Sequence, residues 1–230
     1  MPRVQAVFFD LFETLITEYK NGVCKVRRAA DPESRSRIGL TQSEFRREWN
    51  ARHAQRMTGE YPGYHAVLRD ICSHHGLGYP EETVQAMYEE RVAEKAAAFG
   101  EIGEDVRELL RQLKVRGLRI GLISNCTEEE VTAWGGCGLA SYFDTVVFSY
   151  ETGLAKPDPK IYELGCSRLG VRPEDCLFVG DGGSKELEGA GAAGMTSLQA
   201  AWYVPEEIAL RVQGVTRLKK PAQLLEWITE

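Results

Sequence analysis

No stretch of this chain approaches the roughly 18 consecutive apolar residues that a membrane-spanning helix needs, so no membrane partner is expected. The apolar stretch after Arg3 ends at Asp10, too short for the hydrophobic region of a secretory signal. Cysteine pairs at CxxC spacing are missing. The six cysteines (Cys24, Cys72, Cys126, Cys137, Cys166, Cys176) are scattered, and a chain of 230 residues needs no disulfide staples, so reduced thiols in the cytoplasm are expected. Histidine is scarce, and His53, His65, His74 and His75 show no ligand spacing on a convincing face, which favours surface or core roles over metal binding. Positive charge is in deficit. With 28 Lys and Arg against 34 Asp and Glu the net charge is −6, a field that opposes nucleic acid and anionic membranes. A small anionic substrate then requires locally focused positive charge. Internal repeats and low-complexity segments are absent as well, and composition leaves the oligomeric state open.

What is present is enough apolar material, 43% of residues, for one large domain or for a core with a smaller inserted one. Residues 4–9 (VQAVFF) form an apolar run of strand length that ends at Asp10, as a buried parallel strand does. Four similar runs follow at 118–124, 144–149, 175–180 and 195–200. Helical spacing separates several of them: Val106, Leu109, Leu110 and Leu113 mark one helix, and Ile161, Leu164 and Leu169 another. This alternation predicts an α/β fold with a parallel sheet covered on both faces, whose ligands sit at the carboxyl ends of the strands. Between the first strand and residue 100 no convincing strand occurs. Phe45/Trp49 and Val84/Met87/Tyr88/Val92/Phe99 lie at helical spacings, and Gly59, Pro62-Gly63, Gly76-Leu77-Gly78 and Pro80 divide the segment into three or four helices. The basic residues Arg46, Arg47, Arg52 and Arg56 form either a solvated helix face or part of a substrate clamp. Glu128-Glu129-Glu130 is expected to open a helix capped by Thr127.

Four separated sites fall at or just beyond strand ends: Asp10 in FFDLFETLIT, Ser124-Asn125 in LRIGLISN, Lys156 in GLAKPDPKIY, and Asp181 in CLFVGDGGSKELEGA. Singly each has an ordinary reading as a turn residue, a cap or a surface lysine. In this order and placement they resemble the haloacid dehalogenase-like superfamily over residues 1–16 and about 100–200. The resemblance implies a three-layer, Rossmann-like core made of residues 1–16 and 100–230, with residues 17–99 as an inserted helical cap. It further implies a nucleophile at Asp10, loop support from Thr14, contacts from Ser124 and Asn125 to the transferred group, and charge balance from Lys156. Magnesium is then expected on Asp10, Asp181 and the main-chain carbonyl of Phe12. Glu186 stands where the family often has another aspartate. The chemistry agrees: a carboxylate can attack phosphorus to form an acyl phosphate and depart again when water attacks that phosphorus, and magnesium takes hard oxygen ligands. Lys156, before Pro157-Asp158-Pro159, is held by a rigid turn that aims an ammonium at a fixed place. The expected activity is hydrolysis of a small phosphorylated metabolite through an aspartyl phosphate. Cys126 adjoins the Ser124-Asn125 turn but has no base paired with it, which argues against a nucleophilic role.

One departure is conspicuous. Most phosphatases of this superfamily carry a general acid two residues after the nucleophile, and here that position is Phe12, followed by Glu13 where glycine is usual. An aromatic residue at that position resembles the halide-displacing dehalogenases, which makes a 2-haloacid hydrolase the alternative activity. Those enzymes usually replace the metal-binding Gly-Asp, whereas Gly180-Asp181 is retained here. A binding or regulatory module with decayed catalysis is a further alternative. Glu13 or a cap side chain is the place to look for a substitute acid.

Overall fold

The structure is a computed structural model that describes residues 4–20, 23–24 and 37–228. In chain order the strands are β1 (Ala6–Phe9), the two-residue partners β2 (Tyr19–Lys20) and β3 (Val23–Cys24), β4 (Arg119–Ser124), β5 (Thr145–Phe148), β6 (Cys176–Gly180), β7 (Thr196–Ala200) and β8 (Thr216–Leu218). Six of them form one sheet in the order β5-β4-β1-β6-β7-β8, and every pairing in it is parallel. The α/β fold with a parallel, Rossmann-like sheet is therefore present. Strand β8 at the edge was not expected from the sequence, and β2 with β3 adds a short antiparallel pair where no strand was foreseen.

Alternation along the strands builds the three layers. In β1, Val7 and Phe9 pack into one core with Ile120, Leu122, Leu177 and Val179 under helix α5 (Glu104–Val115). The intervening Ala6 and Phe8 pack into a second core on the opposite face, beneath α7 (Pro159–Leu169) and α8 (Glu186–Ala192). Because both faces are covered, the central strands are apolar between their ends rather than alternating with polar residues. Helix α5 buries Val106, Leu109, Leu110 and Leu113, the spacing read from the sequence, and α7 buries Ile161 and Leu169 with Leu164 half-buried.

Between β1 and α5 lie four helices among the described residues: α1 (Gln42–Ala51), α2 (His53–Met57), α3 (Tyr64–His74) and α4 (Glu81–Gly100). Phe45, Tyr64, Val67, Leu68, Ile71, Val84 and Met87 form their own apolar cluster, with Trp49 and Tyr88 packed against it. The far end of α4 leaves that cluster, since Ala98 and Phe99 belong to the core under α5. No described helix is long and apolar enough to cross a membrane.

Candidate active site

Strand order decides which residues meet. The sheet runs outward from β1 in both directions, with β4 on one side and β6 on the other, so the carboxyl ends of these three neighbours open on one crevice. In the shared register Phe9 lies beside Leu122 and Val179, which brings Asp10, Ser124 and Asp181 to the same end of the sheet. The Asp10 amide donates to the Val179 carbonyl at 2.9 Å, fixing the start of the nucleophile loop against β6.

Lys156 reaches this crevice from the loop after helix α6 (Ser149–Thr152). Its ammonium bridges the carboxylates of Asp10 and Glu186. Asn125 holds it there by the main chain: its Nδ2 donates to the Lys156 carbonyl at 2.9 Å, and its Oδ1 accepts from the Lys156 amide at 2.8 Å. Asn125 was expected to touch a transferred group; the two bonds its carboxamide makes in this structure seat Lys156, and Nδ2 has a second N–H. Thr14 and Ser124 differ. Both are fully buried, and neither hydroxyl has a hydrogen-bond partner among the described residues. Such hydroxyls are costly to leave unpaired, and phosphoryl oxygens are suitable partners. The Thr14 carbonyl accepts from the Trp202 indole at 2.8 Å, tying the loop to the segment after β7.

The carboxylates gather on the other side of Lys156. Asp10, Asp181 and Glu186 can each present an oxygen within 4.8 Å of the others, a set of hard donors that fits magnesium. Asp181 accepts from the Gly183 amide and Glu186 from the Gly182 amide, each at 3.0 Å. The turn needs left-handed backbone at Gly182 (φ 103°) and again at Ser184 and Lys185 (φ 53° and 54°), which is how Glu186 folds back beneath Asp181. Burial, reinforced by Asp181 and opposed by Lys156, holds the Asp10 carboxyl above its ordinary value. Burial and then Asp10 push Glu186 up to about 8. Burial alone would lower Lys156, yet Asp10 and Glu186 outweigh it and keep the ammonium charged. Three acids therefore share one cation, and a divalent ion would relieve the excess negative charge.

Glu13 is engaged within its own loop, and burial holds its carboxyl above the ordinary value. With φ at 60° its side chain turns back, accepting from Thr17 Oγ1 at 2.5 Å and from the Glu18 amide at 2.9 Å. Phe12 packs edge-on against Phe99 of α4, and the Lys95 ammonium stands 4.8 Å from its ring centroid. Helix α4 thus lies over the nucleophile loop. Its charged side chains meet the glutamate run, which forms a single 3-10 turn (Glu128–Glu130) rather than the start of an α-helix. Arg91 binds Glu129 at 2.9 Å and Glu130 at 2.6 Å, Tyr88 donates to Glu128 at 2.9 Å, and Lys95 binds Glu18 at 2.7 Å. Thr127 is the N-cap of this turn, as expected, and its amide donates to the Glu130 carboxylate at 3.1 Å in a capping box.

The remaining expectations divide. Arg46 and Arg47 are exposed, Arg52 pairs with Glu48 and Asp70, and Arg56 is buried with its guanidinium 3.9 Å over the Trp49 ring. Burial pushes the Cys126 thiol well up, in keeping with an unreactive role, and the five cysteines with described side chains are free thiols; that of Cys24 lies outside the described residues. Two of the histidines lie closer to a carboxylate than their spacing suggests. Glu48, His74 and His75 form a second group able to bring ligand atoms within 4.8 Å, assembled across α1 and α3, although Glu48 is already held by Arg52.

Comparison with known proteins places this geometry. The haloacid dehalogenase-like hydrolase family matches residues 4–194. A glyceraldehyde 3-phosphate phosphatase of Methanopyrus kandleri is 30% identical, with 85% of this chain and 83% of that protein aligned. An (S)-2-haloacid dehalogenase of Pseudomonas fluorescens is 29% identical over 78% of this chain and 77% of its own. Among solved structures, a putative beta-phosphoglucomutase from Thermotoga maritima superposes with a TM-score of 0.65 at 23% identity, covering 98% of this chain and all of that one.

Proposed function

The chain belongs to the haloacid dehalogenase-like hydrolases, and from that premise we propose that it is a cytoplasmic, magnesium-dependent phosphatase of a small phosphorylated metabolite, working through an aspartyl phosphate on Asp10. Residues 1–16 and 100–230 are its catalytic core and residues 17–99 its cap. The observation that carries the reading is the cluster of Asp10, Asp181 and Glu186 around Lys156, a charge arrangement suited to a divalent cation and a phosphate together.

Asp10, Asp181 and the Phe12 carbonyl would hold the ion, with Glu186 beside them. Bound there, magnesium neutralises phosphate charge and orients the group. Asp10 attacks phosphorus; the phosphorus–oxygen bond to the leaving group breaks, and water then hydrolyses the aspartyl phosphate. Lys156 offsets charge passing between phosphate and Asp10. Thr14 and Ser124 offer their unpaired hydroxyls to phosphoryl oxygens, and Asn125 keeps Lys156 in place. Asp10 is only 6% exposed, so the substrate gains access when the cap helices move off the core.

Asp181→Ala tests the metal site directly. Titration calorimetry should show magnesium affinity falling by about 100-fold or more once one of the carboxylate ligands is lost; equal binding by both proteins would remove the site from consideration.

A pH dependence follows from the same carboxylates. In metal-free protein Glu186 keeps its proton to about 8, against 4.5 for the ordinary carboxyl. The folded state then binds more protons than the unfolded one across that window, so stability falls as pH rises through it. The melting temperature in EDTA should drop between these limits, less so in Glu186→Gln, and magnesium should raise it most at the alkaline end. Identical pH profiles for the two proteins would contradict this.

A second reading is favoured by one residue. Phe12 in place of an acid suits halide displacement, which needs no proton donor, and a 2-haloacid dehalogenase is among the relatives. The Asp181–Glu186 pair beside Asp10 favours phosphoryl transfer.

A further inference from the structure

We propose that Glu48, His74 and His75 form a second metal site, for a transition-metal dication such as zinc, that ties helix α1 to the end of α3. The site is independent of the phosphatase reading and stands whether or not that reading does. Packing brings the three residues together. Phe45 on α1 and Ile71 on α3 share the apolar cluster of these helices. Glu48 follows Phe45 by three residues, and His74 and His75 follow Ile71 by three and four, so all three extend from the faces in contact. Each can present one ligand atom within 4.8 Å of the others.

Two spacings match ligands of one ion. His75 Nε2 is buried and stands 3.2 Å from Glu48 Oε1 without the alignment of a hydrogen bond. Two ligands each about 2.1 Å from a tetrahedral zinc are themselves about 3.4 Å apart. The rings of His74 and His75 have centroids 5.4 Å apart and planes 75° apart. Two imidazoles on one tetrahedral zinc place their centroids roughly 5 Å apart.

The surroundings prepare the carboxylate. Arg52 binds Glu48 Oε2 at 2.7 Å and Asp70 at 2.6 Å, which leaves Glu48 Oε1 toward the imidazole. Ligating carboxylates are commonly fixed by such an outer partner. Arg52, and after it His75 and His74, hold the Glu48 carboxyl below its ordinary value, so it is ionised and loses no proton on binding metal. The hydrogen bonds from Arg52 and Tyr61, and after them His74, do the same for Asp70. Glu44 adds a third carboxylate on the His75 side, with Arg47 beside it. Three carboxylates thus stand against the two cations Arg47 and Arg52, and a dication at the imidazoles offsets the excess. Nitrogen and oxygen ligands together suit zinc, nickel or copper, whereas magnesium prefers oxygen alone, so this site and the carboxylates around Asp10 favour different ions. His74 is exposed, which gives the ion a way in and lets water complete its coordination.

Zinc chloride, titrated in excess magnesium against a chromophoric chelator, tests the proposal. One zinc should bind per chain at micromolar metal, in Asp181→Ala as in the unmodified protein, and His74→Ala should weaken it by about 100-fold. Cobalt(II) in place of zinc should give the visible absorption of a tetrahedral site, and His74→Ala should lose it. Zinc at about 100 times its dissociation constant should raise the melting temperature by several degrees and leave that of His74→Ala unchanged. Because His74 is exposed, its variant keeps the fold, which circular dichroism checks; His75→Gln repeats the test. Binding that either histidine variant leaves intact, or less than one zinc per chain at micromolar metal, overturns the proposal. Zinc lost in Asp181→Ala but retained in His74→Ala puts the ion on the core carboxylates and overturns it likewise.

Discussion

Asp10→Asn should abolish turnover of every substrate the protein accepts, by more than about 1,000-fold, equivalent to over about 4 kcal/mol of barrier. The amide has nearly the carboxylate's shape, but its oxygen is a weak nucleophile, so the covalent route closes. The fold should survive. Position 10 is nine-tenths buried at a strand end fixed by a main-chain bond from its own amide to Val179, which the substitution leaves alone. When Asp10 loses its charge a main cause of the raised Glu186 pKa goes with it, so Glu186 ionises more readily beside Lys156 and the variant does not strand a buried ammonium. Circular dichroism and the melting temperature check the fold, and rates with acetyl phosphate and p-nitrophenyl phosphate check the chemistry. Activity retained above a few per cent with either substrate would place the nucleophile elsewhere.

The sheet was legible for a definite reason. Strands buried on both faces must be largely apolar, and β1, β4, β5 and β6 announce themselves so, while β7 is a strand despite Thr196, Ser197 and Gln199. The sixth, β8, is a three-residue edge strand with only Leu218 buried, and nothing in its composition separates it from a loop. Strand ends then located Asp10, Ser124, Asn125 and Asp181, since parallel topology brings them together whatever lies between. Partners supplied from far along the chain were not legible. Three consecutive glutamates look like the first turn of a helix until Arg91, 38 and 39 residues away, is seen to bind two of them. Asn125 has the right residue type for touching a phosphate, and only coordinates show both ends of its carboxamide bonded to Lys156. Glu13 was a plausible acid by spacing, and only coordinates show its carboxylate bound by Thr17 and by the Glu18 amide.

With Glu13 engaged by Thr17 and Glu18, Phe12 has a sharper consequence. With no acid two residues after Asp10, the leaving group must depart as an anion, and rates should depend steeply on its pKa. General acid catalysis contributes about 100- to 10,000-fold, so acetyl phosphate and aryl phosphates should outpace alkyl phosphates by a margin of that order. A series of substituted phenyl phosphates measures the dependence. Phe12→Asp should flatten it and raise turnover of alkyl esters, because the new carboxyl would stand near Asp10 and Asp181, whose negative charge raises its pKa and keeps it protonated, as an acid requires. The cost is structural. Phe12 gives up its edge contact with Phe99 and its place under the Lys95 ammonium, contacts that also seat helix α4 on the core. Part of that loss is offset if the new carboxylate pairs with Lys95, but a paired carboxylate is no longer an acid. Phe12→Asp combined with Lys95→Met separates the two effects: the double variant should be the less stable protein and the better alkyl phosphatase. If the unmodified protein already hydrolyses alkyl and aryl phosphates at similar rates, a proton donor exists. With Glu13 turned toward Thr17 and Glu18, that donor would have to come from the cap side of Phe12.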